Sequence, residues 1–350
     1  MNRDIRNTID MLRSGQTPEK QALTALIEDD DPQVSDVLAK EADALRRQYY
    51  GNKVYIRGLI EFTNYCRNDC YYCGIRRSQR NVSRYRLTSG DILSCCHTGY
   101  ELGFRTFVLQ GGEDLWWNDD RLAALVAAIR EKYPDCAITL SAGERSRESY
   151  QRLFEAGADR YLLRHETANP CHYGRLHPAE LSWQNRMECL RNLKDIGYQT
   201  GCGFMVGSPF QTTEDLVNDL LFLKEFQPQM VGIGPFLPAS GTPFAGEPAG
   251  SAELTIRLLS IIRLLLPKVL LPATTALGTA EEDGRERGIR SGANVIMPNL
   301  SPADVRKKYL LYDNKIATGD EAAESVAHLR QSMETIGYQV VTDRGDSLNT

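Results

Sequence analysis

The chain has 350 residues, 42% of them hydrophobic and 25% charged, which is ordinary for a globular fold. That composition excludes a disordered chain, a collagen-like chain and a disulfide-dependent miniprotein. Forty-one Lys and Arg against 46 Asp and Glu leave a net charge of −5, which argues against nucleic acid as the main partner.

The N-terminal stretch MNRDIRNTIDMLRSG mixes charges of both signs and has no apolar core, so no signal peptide is expected. Residues 1–50 alternate apolar stripes with polar faces and predict a helical extension, with Gly15 and Gly51 as stops. From Val54 the pattern changes. Eight short apolar runs follow: VYIRGLIEF, RTFVLQ, AITLSA, RYLLR, YQTGCGFMV, MVGIGPF, KVLLPA and ANVIMP. Helical patterns such as DRLAALVAAIREKY and TEDLVNDLLFLKEF lie between most of them. Strand then helix, repeated at roughly 30 residues per unit, predicts parallel strands with crossover helices. Eight such units predict an α/β fold, a (β/α)8 TIM-type barrel over 51–312. An open doubly wound sheet is the alternative, weakened by the lack of a GxGxxG opening the first helix. Residues 313–350 are expected as a helical tail, with one helix from Glu321 to Gly337. The most apolar stretch, Leu258 to Ala273, is broken by Arg263, Pro267 and Lys268, so no membrane span is expected. A cytoplasmic protein follows, and nine cysteines there point to metal or catalysis before disulfides.

In such barrels chemistry sits where strands end. After the first strand come Cys66, Cys70 and Cys73, at i, i+4 and i+7. One reading is a stripe on a helix, since those positions share a face. Three cysteines at that spacing arise by chance on the order of 0.006 times in a chain of this composition, which favours a metal site. Zinc is a second reading, but it needs a fourth ligand, for which His97 is an unremarkable candidate. Three thiolates also suit a four-iron cluster with one iron left open.

The second strand ends in Gln110, Gly111, Gly112 and Glu113, where two glycines allow close backbone approach to a ligand. The third offers Thr139, Ser141 and Glu144, which equally suit loop capping. On the fourth, Arg160, Leu162 and Arg164 alternate onto one face. Arginines facing the barrel interior need anions there. A salt bridge to Glu166 or Asp159 would serve as well as a substrate. Arg186 lies on a predicted helix and would ordinarily be a surface residue. Later strand ends carry Thr274, Thr275, Met297 and, beyond them, Tyr309 and Tyr312, for which buried core positions are the plain alternative.

The CxxxCxxC triplet with Tyr72 before its last cysteine resembles the radical S-adenosylmethionine (SAM) superfamily. The resemblance implies that Cys66, Cys70 and Cys73 hold one 4Fe-4S cluster and that SAM chelates its open iron. It implies that one electron cleaves SAM to methionine and a 5′-deoxyadenosyl radical, with the barrel positioning the cofactor. Gln110-Gly111-Gly112-Glu113 resembles the element that contacts the SAM amino group. The ordered set YLLRHETANP (161–170), MVGIGPF (230–236), PATTA (272–276) and GANVIMPN (292–299) narrows the likeness to the HydE family of FeFe-hydrogenase maturases, from about Val54 to Tyr312.

That likeness implies adenine near Tyr72, Glu166 on the SAM ribose, Arg186 on its carboxylate and Ser141 near the radical carbon, beside Thr139. Arg160, Arg164, Thr274, Thr275, Met297, Tyr309 and Tyr312 would face the substrate. That substrate would be an organometallic iron precursor bearing CO, cyanide and cysteine, made by the partner HydG and passed towards the scaffold HydF. No nucleic-acid or membrane partner is implied. No cysteine follows Cys202, so no C-terminal second cluster is expected, and Cys95, Cys96, Cys136, Cys171, Cys189 and Cys202 read as packing residues. The rivals are another biotin-synthase-like radical SAM enzyme, such as a methylornithine synthase, and a non-enzymatic metal-binding module.

Overall fold

The apolar runs of the sequence become short strands, every ladder between them parallel. The computed structural model of the chain describes residues 1–316 and 322–348. In chain order the strands are β1 (Lys53–Ile56), β2 (Gly58–Thr63), β3 (Thr106–Gly111), β4 (Ala137–Ser141), β5 (Arg160–Leu162), β6 (Gln199–Cys202), β7 (Met205–Val206), β8 (Met230–Val231), β9 (Gly234–Pro235), β10 (Val295–Ile296) and β11 (Gln339–Val341). Strands β2, β3, β4, β5, β6 and β8 form one six-stranded sheet in that order.

Single bridges carry the sheet onward from Met230 to Leu270, from Pro272 to Val295, and from Asn299 to Leu59 on β2. The chain is therefore an α/β fold of the (β/α)8 type, regular over six strands and thin over the rest. The KVLLPA run makes only two bridges, and Pro272, with no backbone N–H, cannot extend a ladder. The strands are buried on nearly every residue, as parallel strands covered by helices must be.

Helix starts are set by local chemistry. Thr88 and Asp91 form a reciprocal cap on Ser89–Glu101, and Thr212 and Asp215 do the same for Thr213–Phe226. The N-terminal extension forms three helices, Arg3–Arg13, Lys20–Glu28 and Pro32–Tyr50. Their apolar faces, including Leu23, Leu26 and Leu38, pack on the helix Ala252–Leu265.

The tail departs from the expectation of a helix alone. A helix does span Ala322–Thr335, with the predicted start at Glu321 outside the described residues. Beyond it, β11 pairs with β1, and residues 343–347 pass under the strand starts. Asp346 Oδ1 accepts from Arg160 Nη2 at 2.6 Å and from Gln199 Nε2 at 2.8 Å. The Arg344 carbonyl accepts from Arg160 Nη2 and Thr106 Oγ1, both at 2.8 Å. Arg160, Thr106 and Gln199 each begin a strand, so the tail closes the end of the barrel away from the strand C-termini.

Candidate active site

The segment after β2 is not helical, so the three cysteines are not a helix stripe. Its course is set by polar side chains that bind its own backbone. Asn64, fully buried, donates from Nδ2 to the carbonyls of Ser83 (2.9 Å) and Lys308 (2.7 Å) and accepts from the Tyr85 N–H (2.8 Å). Arg84 donates to the carbonyls of Ile75 (2.8 Å), Arg76 (2.6 Å), Gln79 (3.2 Å) and Asn64. Asp69 accepts from Arg76 Nε and from the backbone and hydroxyl of Ser78. The Arg76 bond is the main cause that holds the Asp69 carboxyl well below the usual range. A Cβ at Gly74 would lie 2.2 Å from the Leu310 carbonyl, so only glycine fits between the last cysteine and that chain.

Cys66, Cys70 and Cys73 are all half-buried and free of disulfides. Burial, the largest cause, pushes each thiol up, Cys73 to about 12. Mutual repulsion adds to it, since Cys66 and Cys73 both raise Cys70. Three such thiols ionise together only beside strong positive charge, as iron supplies. Among the described residues no three His, Cys, Asp or Glu side chains converge as a single ion requires, and it is the residue types and spacing of the triplet that point to a larger group. That chemistry fits a cluster held at three corners.

The strand ends converge on this triplet. A Cβ at Gly112 would lie 2.3 Å from the Tyr65 carbonyl and 2.7 Å from Cys66 Cβ, which explains the glycine after Gly111. Glu113 accepts from Arg67 Nε and from the Glu144 N–H, both at 2.9 Å, and so ties the cysteine loop to the loop after β4. Arg186 is buried, not on the surface. Its Nε meets Glu144 Oε1 at 2.5 Å and its Nη1 donates to the Arg164 carbonyl at 2.7 Å. Asn185 adds a bond of 2.6 Å to the other Glu144 oxygen.

Glu166 sits at φ 67°, in the left-handed region that a glutamate seldom adopts. Asp219 holds it there from both sides. Asp219 Oδ1 accepts the Ala168 N–H at 2.6 Å and lies 3.2 Å from His165 Nε2. The Gly203 N–H points at His165 Nδ1, so that nitrogen is the acceptor and Nε2 carries the proton. The strained turn leaves Glu166 Oε2 buried without a hydrogen bond. Arg164 Nη2 lies 3.2 Å away, in an ion pair without hydrogen-bond geometry, and Arg164 Nε is also unpartnered. Buried polar atoms left in this way beside the cysteines mark a candidate ligand site. Tyr72 faces the same place: burial first, then Glu166 and Cys70, raise its hydroxyl. Its OH points to His177 Nε2 at 3.3 Å, and burial lowers His177 to about 4, so that ring is a neutral acceptor.

Cys66, Cys70, Cys73, Tyr72, Gly112, Glu113, Glu166, Arg186 and Arg164 are thus brought together. Gln110 and Ser141 are neighbours in register at the ends of β3 and β4, and Gln110 Nε2 lies 3.5 Å from the hydroxyl of buried Tyr309. Thr139 is buried deeper on β4, its hydroxyl without a partner. Thr275 and Met297 line a cavity of about 480 Å³ with Arg285 and Lys315. The Tyr312 hydroxyl is raised to about 12, chiefly by burial, and Arg285 and Arg164 are near enough to offset part of that rise. One expected residue does not join. Arg160 faces the barrel interior as read, but at the closed end, with Asp346 as its anion. The Thr274 hydroxyl caps the helix Thr275–Ala280 through the Leu277 N–H. Sequence reading missed Asn64, Arg84, Asp219 and Arg285. Only Arg84 left a signal, as one of six arginines between Asn64 and Leu87.

Comparison with known proteins agrees with this geometry. The family model described as the radical SAM superfamily matches residues 60–223. The chain is 45% identical over 326 residues to the [FeFe] hydrogenase maturase subunit HydE of Thermotoga maritima, covering 93% of both chains. It is 29% identical to 3-methylornithine synthase of Methanosarcina barkeri over 85% of this chain and 83% of that one. The solved methylornithine synthase PylB superposes with a TM-score of 0.85, covering 95% of this chain and 97% of that one at 27% identity.

Proposed function

The chain belongs to the radical SAM superfamily, in its HydE branch, and we propose that it acts on a cysteine-bound iron carbonyl and cyanide precursor during assembly of the hydrogenase two-iron site. It is a radical SAM enzyme with one 4Fe-4S cluster on Cys66, Cys70 and Cys73. When bound, the cluster supplies the electron that cleaves SAM to methionine and a 5′-deoxyadenosyl radical.

The protein's own residues bind and orient. Tyr72 packs beside the adenine, and Glu166 accepts from the ribose hydroxyls through the oxygen that the fold leaves unpartnered. Arg186, already anchored by Glu144, presents its guanidinium to the SAM carboxylate. The Gln110–Glu113 turn meets the SAM amino group, and Thr139 and Ser141 lie along β4 towards the reacting carbon. Arg164, Thr275, Met297, Tyr309 and Tyr312 line the substrate side, where a guanidinium supplies rigid donors for cyanide and carboxylate. The precursor comes from HydG and its product goes towards HydF. No helix among the described residues is long and apolar enough to cross a membrane, and nine disulfide-free cysteines suit the cytoplasm.

The observation that carries the reading is the facing pair of under-bonded groups, Glu166 Oε2 and the Arg164 guanidinium, beside the cysteine cradle. The test supplies the anaerobically reconstituted protein with SAM and the HydG product, then measures hydrogenase activated in the presence of HydF. Active hydrogenase is expected. SAM cleavage without maturation, but with conversion of an amino-acid substrate, would favour a methylornithine-synthase-like activity instead.

A further inference from the structure

We propose that Tyr173 is a further SAM-binding residue, whose buried hydroxyl donates to the SAM carboxylate beside Arg186. The inference rests on the placement of that carboxylate at Arg186 and deepens it. A buried hydroxyl without a partner is costly, so a fold ordinarily supplies one. Elsewhere this fold does. Tyr85 donates to the Glu61 carbonyl at 2.6 Å, and Tyr161 and Tyr198 donate to the carbonyls of Gly143 and Tyr150, both at 2.8 Å. Two buried tyrosine hydroxyls among the described residues have no partner, those of Tyr133 and Tyr173. Tyr133 precedes β4 by four residues, near the strand starts, and packs on Tyr100. Tyr173 is 1% exposed and lies at the other end, with the cysteines.

The ring is held in place from several sides. Tyr173 sits on the helix Pro170–Leu176, which Asn169 caps just after the Glu166 turn. The Tyr71 N–H donates to the Leu176 carbonyl at 3.0 Å and ties this helix to the cysteine loop. The Tyr173 ring stacks on His177, with centroids 4.0 Å apart. His177 Nδ1 donates to the Tyr173 carbonyl at 2.9 Å, which leaves Nε2 to accept from the Tyr72 hydroxyl. One histidine therefore fixes two tyrosines. It uses the hydroxyl of Tyr72 and leaves that of Tyr173 free.

The free hydroxyl shares its surroundings with Arg186, whose guanidinium carbon lies 5.9 Å from the centre of the Tyr173 ring. Burial is the main cause that raises the hydroxyl, Arg186 opposes it, and Glu144, Cys70 and Glu166 add to it. The phenol therefore stays protonated and acts as a donor. Glu144 is not its acceptor, because Arg186 and Asn185 already take both carboxylate oxygens. An acceptor lying against a guanidinium and a phenol at once needs negative charge and two oxygens, which a carboxylate has. A second donor at that group makes the site select the complete amino-acid end of SAM.

The experiment titrates the anaerobically reconstituted full chain and its Tyr173→Phe variant, by calorimetry, with SAM and with decarboxylated SAM, which lacks only that carboxylate. The substitution keeps the ring on His177 and removes the hydroxyl alone. The Kd for SAM should rise about tenfold or more, while the Kd for decarboxylated SAM should stay within about twofold of the parent. Without SAM, the melting temperature of the variant should equal or exceed that of the parent, because an unpaired buried hydroxyl is gone. A merely structural hydroxyl would lower it. Unchanged SAM affinity would overturn the proposal, and so would equal weakening for both ligands. A changed electron-spin signal of the reduced cluster before SAM is added would overturn it as well, since the hydroxyl would then act on the Cys70 sulfur. A parent that binds SAM and decarboxylated SAM alike would remove the placement of the carboxylate at Arg186, and a parent that binds no SAM would remove the SAM site altogether; the proposal falls with either.

Discussion

Arg160 and Arg164 lie four residues apart on one strand and its extension, and they meet opposite fates. At the lower end of the barrel the chain supplies the anion: Asp346 and the Arg344 carbonyl bind Arg160 and shut the strand starts. At the upper end the one ion pair of Arg164 among the described residues is with Glu166, without a hydrogen bond, and both keep unpartnered polar atoms. The lower pair is satisfied by the fold, whereas the upper pair is left for something else. A buried cation thus says that an anion is near, and the end of the strand says whose it is.

The largest effect expected divides the ends by chemistry. Cys70→Ala should abolish 5′-deoxyadenosine formation and cluster absorbance, while Asp346→Ala should retain both in the folded fraction. Iron content and product assay check this, and residual cleavage in the cysteine variant would break the assignment of the cradle.

Next comes stability. Asp346→Ala leaves the Arg160 guanidinium buried without its carboxylate and should lower the unfolding free energy by about 2–3 kcal/mol, the low end for buried pairs because Asp346 is part-exposed. Arg164→Leu should change it by about 1 kcal/mol or less, since its ion pair lacks hydrogen-bond geometry. Denaturant titration of both variants compares them directly. Similar losses would erase the distinction between the two ends.

Glu166→Gln should then weaken SAM binding about ten- to a hundredfold, through loss of a charge-assisted bond of roughly 1.5–3 kcal/mol. Calorimetry with the reconstituted protein reads this, and unchanged affinity would place SAM elsewhere.

The same contrast explains what could be read from the sequence. The barrel was legible because parallel strands buried on both faces must be short apolar runs with helices between. The cysteine cradle was legible because ligand spacing within one loop is a local property. Strand alternation correctly turned Arg160 inward, but its partner lies 186 residues away in a tail read as a helix, and no local pattern announces that contact. Asp219 was invisible for a related reason. Its role is to clamp the turn at Glu166, and on its own helix it is one acidic residue among several.

The smallest effect expected is a divergence of the two ends with pH. Burial pushes Asp346 up, but Arg160, Gln199 and Arg344 outweigh it and hold its pKa well below the usual value. A depressed carboxyl contributes stability that is complete above its unfolded pKa, near 3.9, and is lost as pH falls towards the folded value. Asp219 is the reverse. Burial, the largest cause, raises it, and the His165 bond only partly offsets this. A raised carboxyl disfavours the fold above its unfolded pKa, and that penalty eases as pH falls. From about pH 4 down to about pH 2, therefore, amide exchange corrected for its intrinsic pH dependence should quicken at Gln339–Ser347 but not around Glu166. Asp346→Asn should remove the pH dependence at the tail and leave the upper end unchanged. Parallel quickening at both ends would mean that acid loosens the barrel as a whole, and that the tail is not an independently titrating closure.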